Sequence, residues 1–233
     1  MFATLRLLFV YVVLGAPVGL VGIVWSTLRR DFHTMYRWGM GIMALGPRAA
    51  GVRVRLEGME NIEAGKQYIF LSNHVSNLDP PVLLPFIPGM TSAFLKRELM
   101  KIPLLATGLR MGKFVPVARG NSREQAQQSV EAAKDALRSG LHITIFPEGT
   151  RSTDGRLLPF KKGGFFLAEE TGAPIIPVVI RGTAKMMPKG TLRITPGEAL
   201  VRFLPAIRPQ AYASREELMQ AVRTAMETEL ARG

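Results

Sequence analysis

The longest apolar run of the chain lies near its N-terminus. No residue between positions 7 and 28 carries a charge. A helix of that length can cross a hydrocarbon core of about 30 Å. Pro17 and the neighbouring glycines interrupt the run, so a kinked, half-embedded helix fits equally well. We therefore predict that residues 1–48 form a membrane-associating helical hairpin, or a kinked helix followed by an amphipathic one, ending at Gly46 and Pro47.

The residues around this run favour one side of a membrane. Arg29, Arg30 and Arg37 follow it closely, and Trp25 and Trp38 lie near the charged edge, where amphipathic rings prefer the headgroup zone. Positive flanks are retained on the cytoplasmic side, so the rest of the chain is predicted to be cytoplasmic. A cleaved signal peptide and a buried helix of a soluble core are the alternatives. The leading charge is weak and no clear cleavage site follows the run, which disfavours the signal peptide.

Beyond residue 48 the pattern changes to short apolar strands separated by amphipathic helices. Strands are predicted over residues 52–56, 68–71, 92–95, 114–117, 141–146, 175–181, 192–195 and 199–204. Helices are predicted over residues 80–86, 98–109, 122–139 and 165–170, and from 214 onwards. Ser214 and Glu217 have the spacing of a capping box, and Asp79 stands where a helix N-cap is expected. This alternation predicts an α/β fold with a mixed central sheet flanked by helices.

Composition narrows the possible functions. The net charge is +12, which favours nucleic acid, an acidic membrane surface or phosphorylated substrates as partners. There are no cysteines, which excludes disulfides, thiolate metal sites and a cysteine nucleophile. Phosphate-loop, dinucleotide-binding and zinc-protease motifs are also missing from the sequence. A nucleic-acid binder usually combines basic strips with stacking aromatic residues or a groove-reading motif, and neither is found here.

Two short motifs follow predicted strands and carry the candidate chemistry. In the first, residues 73–79, His74 and Asp79 are separated by four residues. A carboxylate that accepts one ring N–H of an imidazole leaves the other nitrogen free to take a proton from a hydroxyl. Asp79 could equally serve only as a helix cap.

The second motif, residues 146–152, contains Glu148, Gly149 and Arg151 in what reads as a turn after a strand. Such a turn is suited to holding an anionic substrate, although an ordinary surface turn with a salt bridge is the alternative. Loops at the carboxyl ends of strands in an α/β sheet share one crevice, so the two motifs can meet in space.

Together these motifs resemble two signatures of the glycerolipid acyltransferase family, specifically its 1-acylglycerol-3-phosphate (lysophosphatidate) acyltransferases. Residues 114–119 and 174–178 are similar to the second and fourth motifs of that family, and residues 96–99 and 160–163 are also family-like. The resemblance runs from about residue 54 to residue 204. It implies that residues 49–233 form an α/β acyltransferase domain behind the N-terminal segment.

The resemblance also implies a role for each residue. His74 would be the general base that takes a proton from the free glycerol hydroxyl of 1-acyl-glycerol-3-phosphate, and Asp79 would orient it. The other implied substrate-binding residues are Arg119, Arg151 and Lys96 for the acceptor phosphate, Glu148 for the glycerol hydroxyl, and Gly149 and Thr150 in the binding turn. The donor would be acyl-CoA or acyl-carrier protein, with no acyl-enzyme, no metal and no bound cofactor.

The sequence departs from the family pattern beside Arg119. Ala118 stands where an aspartate is common, and Lys113 where a glycine is common. This departure bears on the acceptor headgroup more than on the reaction, and another lysolipid or hydrolysis is the alternative within the enzyme class. A non-enzymatic lipid- or nucleic-acid-binding protein is the alternative outside it.

Overall fold

The computed structural model of the protein describes residues 1–117 and 123–232. Within them, seven strands form one mixed sheet, in the order β1-β7-β6-β2-β5-β3-β4. The strands are β1 (Val52–Glu57), β2 (Ile69–Ser72), β3 (Thr91–Lys96), β4 (Val115–Val117), β5 (His142–Ile145), β6 (Ile175–Arg181) and β7 (Gly197–Phe203). Strands β2 to β6 run parallel to one another, whereas β7 is antiparallel to β6 and β1 pairs parallel with β7. The predicted mixed α/β sheet is confirmed.

Helices surround this sheet and precede it. They are α1 (Phe2–Phe9), α2 (Gly15–Arg29), α3 (His33–Ala49), α4 (Asp79–Leu83), α5 (Pro103–Met111), α6 (Arg123–Arg138), α7 (Gly163–Thr171), α8 (Thr183–Met186) and α9 (Arg215–Ala231). A π-helical turn, Val10–Leu14, joins α1 to α2, and a 3₁₀ turn, Arg97–Lys101, precedes α5. At the start of α9, the Ser214 side chain accepts a hydrogen bond from the N–H of Glu217, as its capping-box spacing predicts.

Alternation along the strands divides the core into two layers. Phe70 of β2 lies in a cluster with Val82 of α4, on one face of the sheet. Its neighbours Ile69 and Leu71 lie in a second cluster with Phe165 of α7, on the other face. Because successive strand residues point to opposite faces, a strand buried on both faces is mostly apolar, as Ile69, Phe70 and Leu71 of β2 are.

The N-terminal segment is a helical hairpin, α1–α2 against α3. The π turn, Val10–Leu14, lies just before Pro17, which was expected to interrupt the helix. A proline ring clashes with the carbonyl four residues earlier in a regular helix, and a wider turn relieves that clash. One helix among the described residues, spanning Phe2–Arg29, is long and apolar enough to cross a membrane, with a mean hydropathy of 2.5. Only 11% of its most apolar window is buried, which argues against a soluble core helix.

The prediction that Gly46 and Pro47 end the segment was wrong, because α3 continues through both to Ala49. Pro47 has no N–H to donate to the carbonyl of Met43, four residues earlier. The Tyr11 hydroxyl donates to that carbonyl instead, at 3.0 Å, so the backbone group stays paired and the helix continues.

The hairpin packs on the sheet domain rather than standing apart from it. Leu7, Met40 and Met43 contact the core cluster that contains Val82. The Tyr36 hydroxyl accepts a hydrogen bond from the N–H of Thr91, at 2.8 Å. The division of the chain at residues 48 and 49 stays a prediction.

The strand predicted over residues 192–195 was also wrong, because this segment is irregular. Its backbone groups are paired without a neighbouring strand. The Thr4 hydroxyl donates to the carbonyl of Leu192 and accepts from the N–H of Ile194, while the N–H of Thr195 donates to the carbonyl of Met186. The segment therefore fastens the first turn of α1 to the sheet domain.

Candidate active site

The two sequence motifs meet at the carboxyl edge of the parallel strands. Strands β2 and β5 are neighbours, with Leu71 opposite Ile145. His74 and Glu148 each follow that pair by three residues. The ring of Phe146 stacks on the imidazole of His74, with 4.3 Å between centroids. The N–H of Ser152 donates to the carbonyl of His74 at 2.8 Å, which joins the two loops through their backbone.

His74 and Asp79 form a hydrogen-bonded pair. The Nδ1 atom of His74 lies 2.8 Å from Oδ2 of Asp79. The Asp79 side chain is fully buried, whereas the His74 side chain keeps 18% of its surface exposed. An imidazole whose Nδ1–H donates to a carboxylate has Nε2 free as a proton acceptor, which is the arrangement of a general base.

The carboxylate of Asp79 does not cap the following helix, contrary to the prediction. Helix α4 begins at Asp79 itself, and its cap position, Leu78, has no capping side chain. Oδ2 of Asp79 instead turns back and accepts the N–H groups of Val75 and Ser76, at 2.7 and 2.8 Å. These bonds hold the loop between His74 and Asp79 in one shape, because three donors converge on the same oxygen.

Thr183 belongs to the same network and was missed by sequence reasoning. Its hydroxyl donates to Oδ1 of Asp79 at 2.6 Å, and the side chain is fully buried. Thr183 begins α8, two residues after the carboxyl end of β6. That position was a usable signal, since strand ends at one edge of an α/β sheet converge.

Asn73 was also given no role of its own by the sequence. Its amide donates to the carbonyl of Ile180 at 3.0 Å, and its side-chain oxygen accepts the N–H of Ile180 at 2.7 Å. This pair of bonds ties the end of β2 to β6. It fixes the point at which the chain leaves the sheet towards His74.

Glu148 links the two motif loops. Its Oε1 accepts the N–H of His74 and its Oε2 accepts the N–H of Leu158, both at 2.8 Å. The residue is 4% exposed. Burial raises the pKa of this carboxyl above its usual range, and the two backbone hydrogen bonds act in the opposite direction. Both oxygens are thus engaged with backbone groups, and the predicted contact with a substrate hydroxyl stays a prediction.

The turn after Glu148 presents backbone and basic side chains to solvent. Gly149 has a φ of +68°, and a Cβ there would lie 2.6 Å from Cε of Lys161. Glycine is therefore favoured by the backbone angle, whereas the end of the flexible lysine side chain could move aside. Thr150 is exposed and Arg151 is half-buried, with the carbonyl of Arg151 accepting a hydrogen bond from Lys189.

The remaining predicted binding residues occupy different positions. Lys96 ends β3 at the same carboxyl edge and is exposed. Arg119 lies outside the described residues, so its predicted role stays a prediction. No group of three or more potential metal ligands from histidine and acidic residues occurs within residues 1–117 and 123–232.

Proteins similar in sequence to this chain are acyltransferases by name. A family model described as Acyltransferase matches residues 53–181. The 1-acyl-sn-glycerol-3-phosphate acyltransferase of Limnanthes douglasii is 36% identical over 157 residues, covering 67% of this chain and 55% of that protein. The human enzyme of the same name, form alpha, is 31% identical over 157 residues, covering 67% of this chain and 56% of its own length. The chain thus spans about half the length of these curated relatives.

A solved structure is similar over almost the whole chain. It is the 1-acyl-sn-glycerophosphate acyltransferase PlsC of Thermotoga maritima, with a TM-score of 0.79 and 28% identity. The match covers 99% of this chain and 96% of that one. The family match spans more than half of the chain and includes both motif loops and the histidine–aspartate pair. The chain belongs to the acyltransferase family.

Proposed function

We propose that the protein transfers an acyl chain to the free hydroxyl of 1-acyl-glycerol-3-phosphate and so forms phosphatidate. The donor in this proposal is an acyl thioester, acyl-CoA or acyl-carrier protein. The observation that carries the proposal is the buried Asp79 carboxylate 2.8 Å from Nδ1 of a partly exposed His74. The names of the similar proteins support the choice of substrate.

The chemistry follows from the orientation of the imidazole. Nε2 of His74 takes the proton of the acceptor hydroxyl while that oxygen attacks the thioester carbonyl carbon. A carbon–oxygen bond forms, the carbon–sulfur bond breaks, and the thiolate leaves with the proton returned by the imidazolium. Asp79 holds the ring and stabilises its charged form during the transfer. No acyl-enzyme is formed in this scheme, since the hydroxyl attacks the donor directly.

Basic side chains at the same edge are proposed to hold the acceptor phosphate. Arg151 follows the turn at Gly149, and Lys96 ends the strand next to β5. Arg119 is assigned the same role from the family resemblance. A guanidinium forms charge-assisted bonds with phosphate oxygens, so an anionic headgroup is preferred over a neutral one.

The hairpin is proposed to attach the enzyme to a membrane, with the domain formed by residues 49–233 on the cytoplasmic side. Exposed apolar side chains along Phe2–Arg29 support attachment. Thr4 of α1 bonds to the carbonyl of Leu192, and α2 packs against α5, with Leu104 facing Gly19. Contacts from both halves of the long helix favour a hairpin lying in one leaflet over a perpendicular crossing.

The decisive experiment incubates the purified protein with lysophosphatidate and either acyl-CoA or acyl-carrier protein, and follows thiol release together with phosphatidate formation. His74→Ala is expected to abolish turnover while the protein stays folded. Arg151→Ala is expected to raise the acceptor KM by about tenfold or more, since a charge-assisted contact contributes roughly 1.5–3 kcal/mol. A phosphate-free lysolipid is the control acceptor. Near-normal transfer by folded His74→Ala would refute the mechanism, and equal losses with both acceptors would refute the phosphate contact.

A further inference from the structure

Large apolar side chains are exposed in a second place besides the hairpin. Leu99, Ile102 and Leu105 are 39%, 52% and 41% exposed. Leu99 lies in the 3₁₀ turn before α5, Ile102 is the residue just before α5, and Leu105 lies in its first turn. Apart from Leu192, every other exposed large apolar residue of the described chain belongs to the hairpin. A cluster of such residues marks a contact surface rather than ordinary surface composition.

This second apolar patch, formed by Leu99, Ile102 and Leu105, adjoins the hairpin. Helix α5 packs against α2. A Cβ on Gly19 of α2 would lie 3.6 Å from a methyl group of Leu104, so the two helices approach closely there. Leu104 thus faces the hairpin while its neighbour Leu105 faces solvent. The patch therefore lies beside a helix that also exposes large apolar side chains, since Leu20 and Val21 of α2 are more than half exposed.

Charge around the patch matches an anionic lipid surface. Lys96, Arg97 and Lys101 are exposed beside it, and Glu98 is the one acidic residue of the segment from 96 to 110. Basic residues close to a bilayer surface are attracted to anionic lipid headgroups. The patch also begins directly after β3, whose carboxyl end lies at the same edge as His74.

We propose that the second apolar patch inserts into the same bilayer leaflet as the hairpin and that its basic neighbours contact anionic lipid headgroups. The inference rests on the membrane attachment in the proposed function and does not depend on the acyl-transfer chemistry. Two membrane contacts fix the orientation of the whole molecule relative to the bilayer. They hold the carboxyl edge of β3 at the headgroup level, so a lysolipid reaches the site from within the leaflet.

The absence of cysteine makes the test direct, since one introduced cysteine can be labelled alone. Ile102→Cys, Val21→Cys and Arg138→Cys each receive an environment-sensitive fluorophore. The labelled full-length proteins are reconstituted into vesicles of phosphatidylglycerol and phosphatidylcholine. Val21 lies on the hairpin, and Arg138 is an exposed residue at the end of α6. We expect bilayer-embedded doxyl lipid to quench the label at 102 as it does at 21, with loss of iodide quenching at both. We expect iodide, and not doxyl lipid, to quench the label at 138.

Each other outcome rejects the inference in a distinguishable way. A label at 102 that iodide quenches while the label at 21 is quenched by doxyl lipid would leave the hairpin as the sole contact. Quenching by iodide at both positions would refute membrane attachment altogether. A label at 102 shielded from both quenchers would mean that protein, such as a second copy of the chain, covers the patch. Thiol release by each labelled protein, measured in parallel, keeps these results separate from a failure of the chemistry.

Discussion

At the scale of single residues, the candidate site depends on side chains that hold His74 rather than on His74 alone. Asp79 accepts four hydrogen bonds, from the His74 ring, two loop N–H groups and the Thr183 hydroxyl. Glu148 holds the backbone N–H of the same histidine. A general base works only when its nitrogen reaches the proton at hydrogen-bond distance, so small shifts of this frame matter.

Thr183 is expected to act as a positioning residue. Thr183→Val keeps the shape of the side chain but removes the hydrogen bond to Oδ1 of Asp79. Because a hydrogen bond to a charged group contributes roughly 1.5–3 kcal/mol, kcat is expected to fall by about tenfold to a hundredfold. Thr183→Ser keeps the hydroxyl and is expected to restore most of the rate. Steady-state kinetics on both variants decides the point, and wild-type kcat in folded Thr183→Val would argue against this role.

The effects of a Glu148 substitution on kcat and on acceptor KM distinguish two roles for this residue, holding the His74 loop and contacting the substrate hydroxyl. In Glu148→Gln one oxygen becomes an NH₂ group that must face the N–H of His74 or of Leu158, and two donors cannot pair. The misplaced His74 loop is expected to lower kcat by about tenfold or more, with little change in acceptor KM. A rise in acceptor KM with kcat unchanged would instead support the substrate contact that the family resemblance implies.

At the scale of elements, the hairpin owes its continuity to one tyrosine. The Tyr11 hydroxyl donates a hydrogen bond to the carbonyl of Met43, which Pro47 leaves without a helical donor. The Tyr11 ring lies against Gly46. The apolar pattern predicted a hairpin, but no local rule predicted a proline inside α3. Rules for helix ends consider only the hydrogen-bond donors of the helix itself, whereas Tyr11 donates from the opposite arm of the hairpin.

Gly46→Ala tests this arrangement. A Cβ at position 46 would lie 2.4 Å from the Tyr11 ring, so the ring must move and its hydrogen bond is lost. We expect destabilisation by about 1–3 kcal/mol, seen as a lower Tm in detergent. Gly39→Ala in the same helix is the matched control. Nothing lies within 4 Å of its Cβ, so the better helix propensity of alanine should stabilise by up to about 1 kcal/mol. Equal Tm shifts in the two variants would contradict the packing.

At the scale of the whole molecule, one buried histidine links stability to pH. His142 begins β5, and its Nδ1 accepts the N–H of Tyr68 at 3.1 Å. Burial lowers the pKa of this imidazole, and a backbone hydrogen bond with Pro88 acts in the opposite direction. The unfolded chain therefore binds the proton more readily than the folded protein. The contribution of neutral His142 to stability is full above the ordinary imidazole range and is lost as pH falls through it.

Urea unfolding is expected to show a lower midpoint at about pH 5.5 than at about pH 7.5, because His142 must be protonated on unfolding. His142→Gln keeps an acceptor for the Tyr68 N–H but does not titrate. Its midpoint should therefore change less between the two conditions. Carboxylates whose pKa is lowered by ion pairs, such as Glu57 beside Arg202, lose their contribution only at more acidic pH. An identical pH dependence in His142→Gln would exclude this histidine as the cause.

The sequence by itself predicted most of the strands and helices and the acyltransferase family. Apolar runs predicted β2, β5 and β6, because a strand buried on both faces is mostly apolar. The apolar length of residues 7–28 indicated a membrane helix, whereas the spacing of His74 and Asp79 left a general base and a helix cap open until the family resemblance was considered. These features depend on residues that are close together in the chain, so they can be recognised from one sequence without its structure.

The tertiary structure alone decided which distant groups complete the site and the fold. The Thr183 hydroxyl reaches Asp79 across 104 residues, and Glu148 reaches the His74 N–H across 74. Residues 192–195 do not form the predicted strand. Thr4, at the other end of the chain, forms hydrogen bonds with their backbone groups in place of a neighbouring strand. A hydrogen bond forms wherever folding brings a donor to an acceptor. Residue type and spacing therefore predict the groups that seek partners, and only the packed structure decides which partners they find.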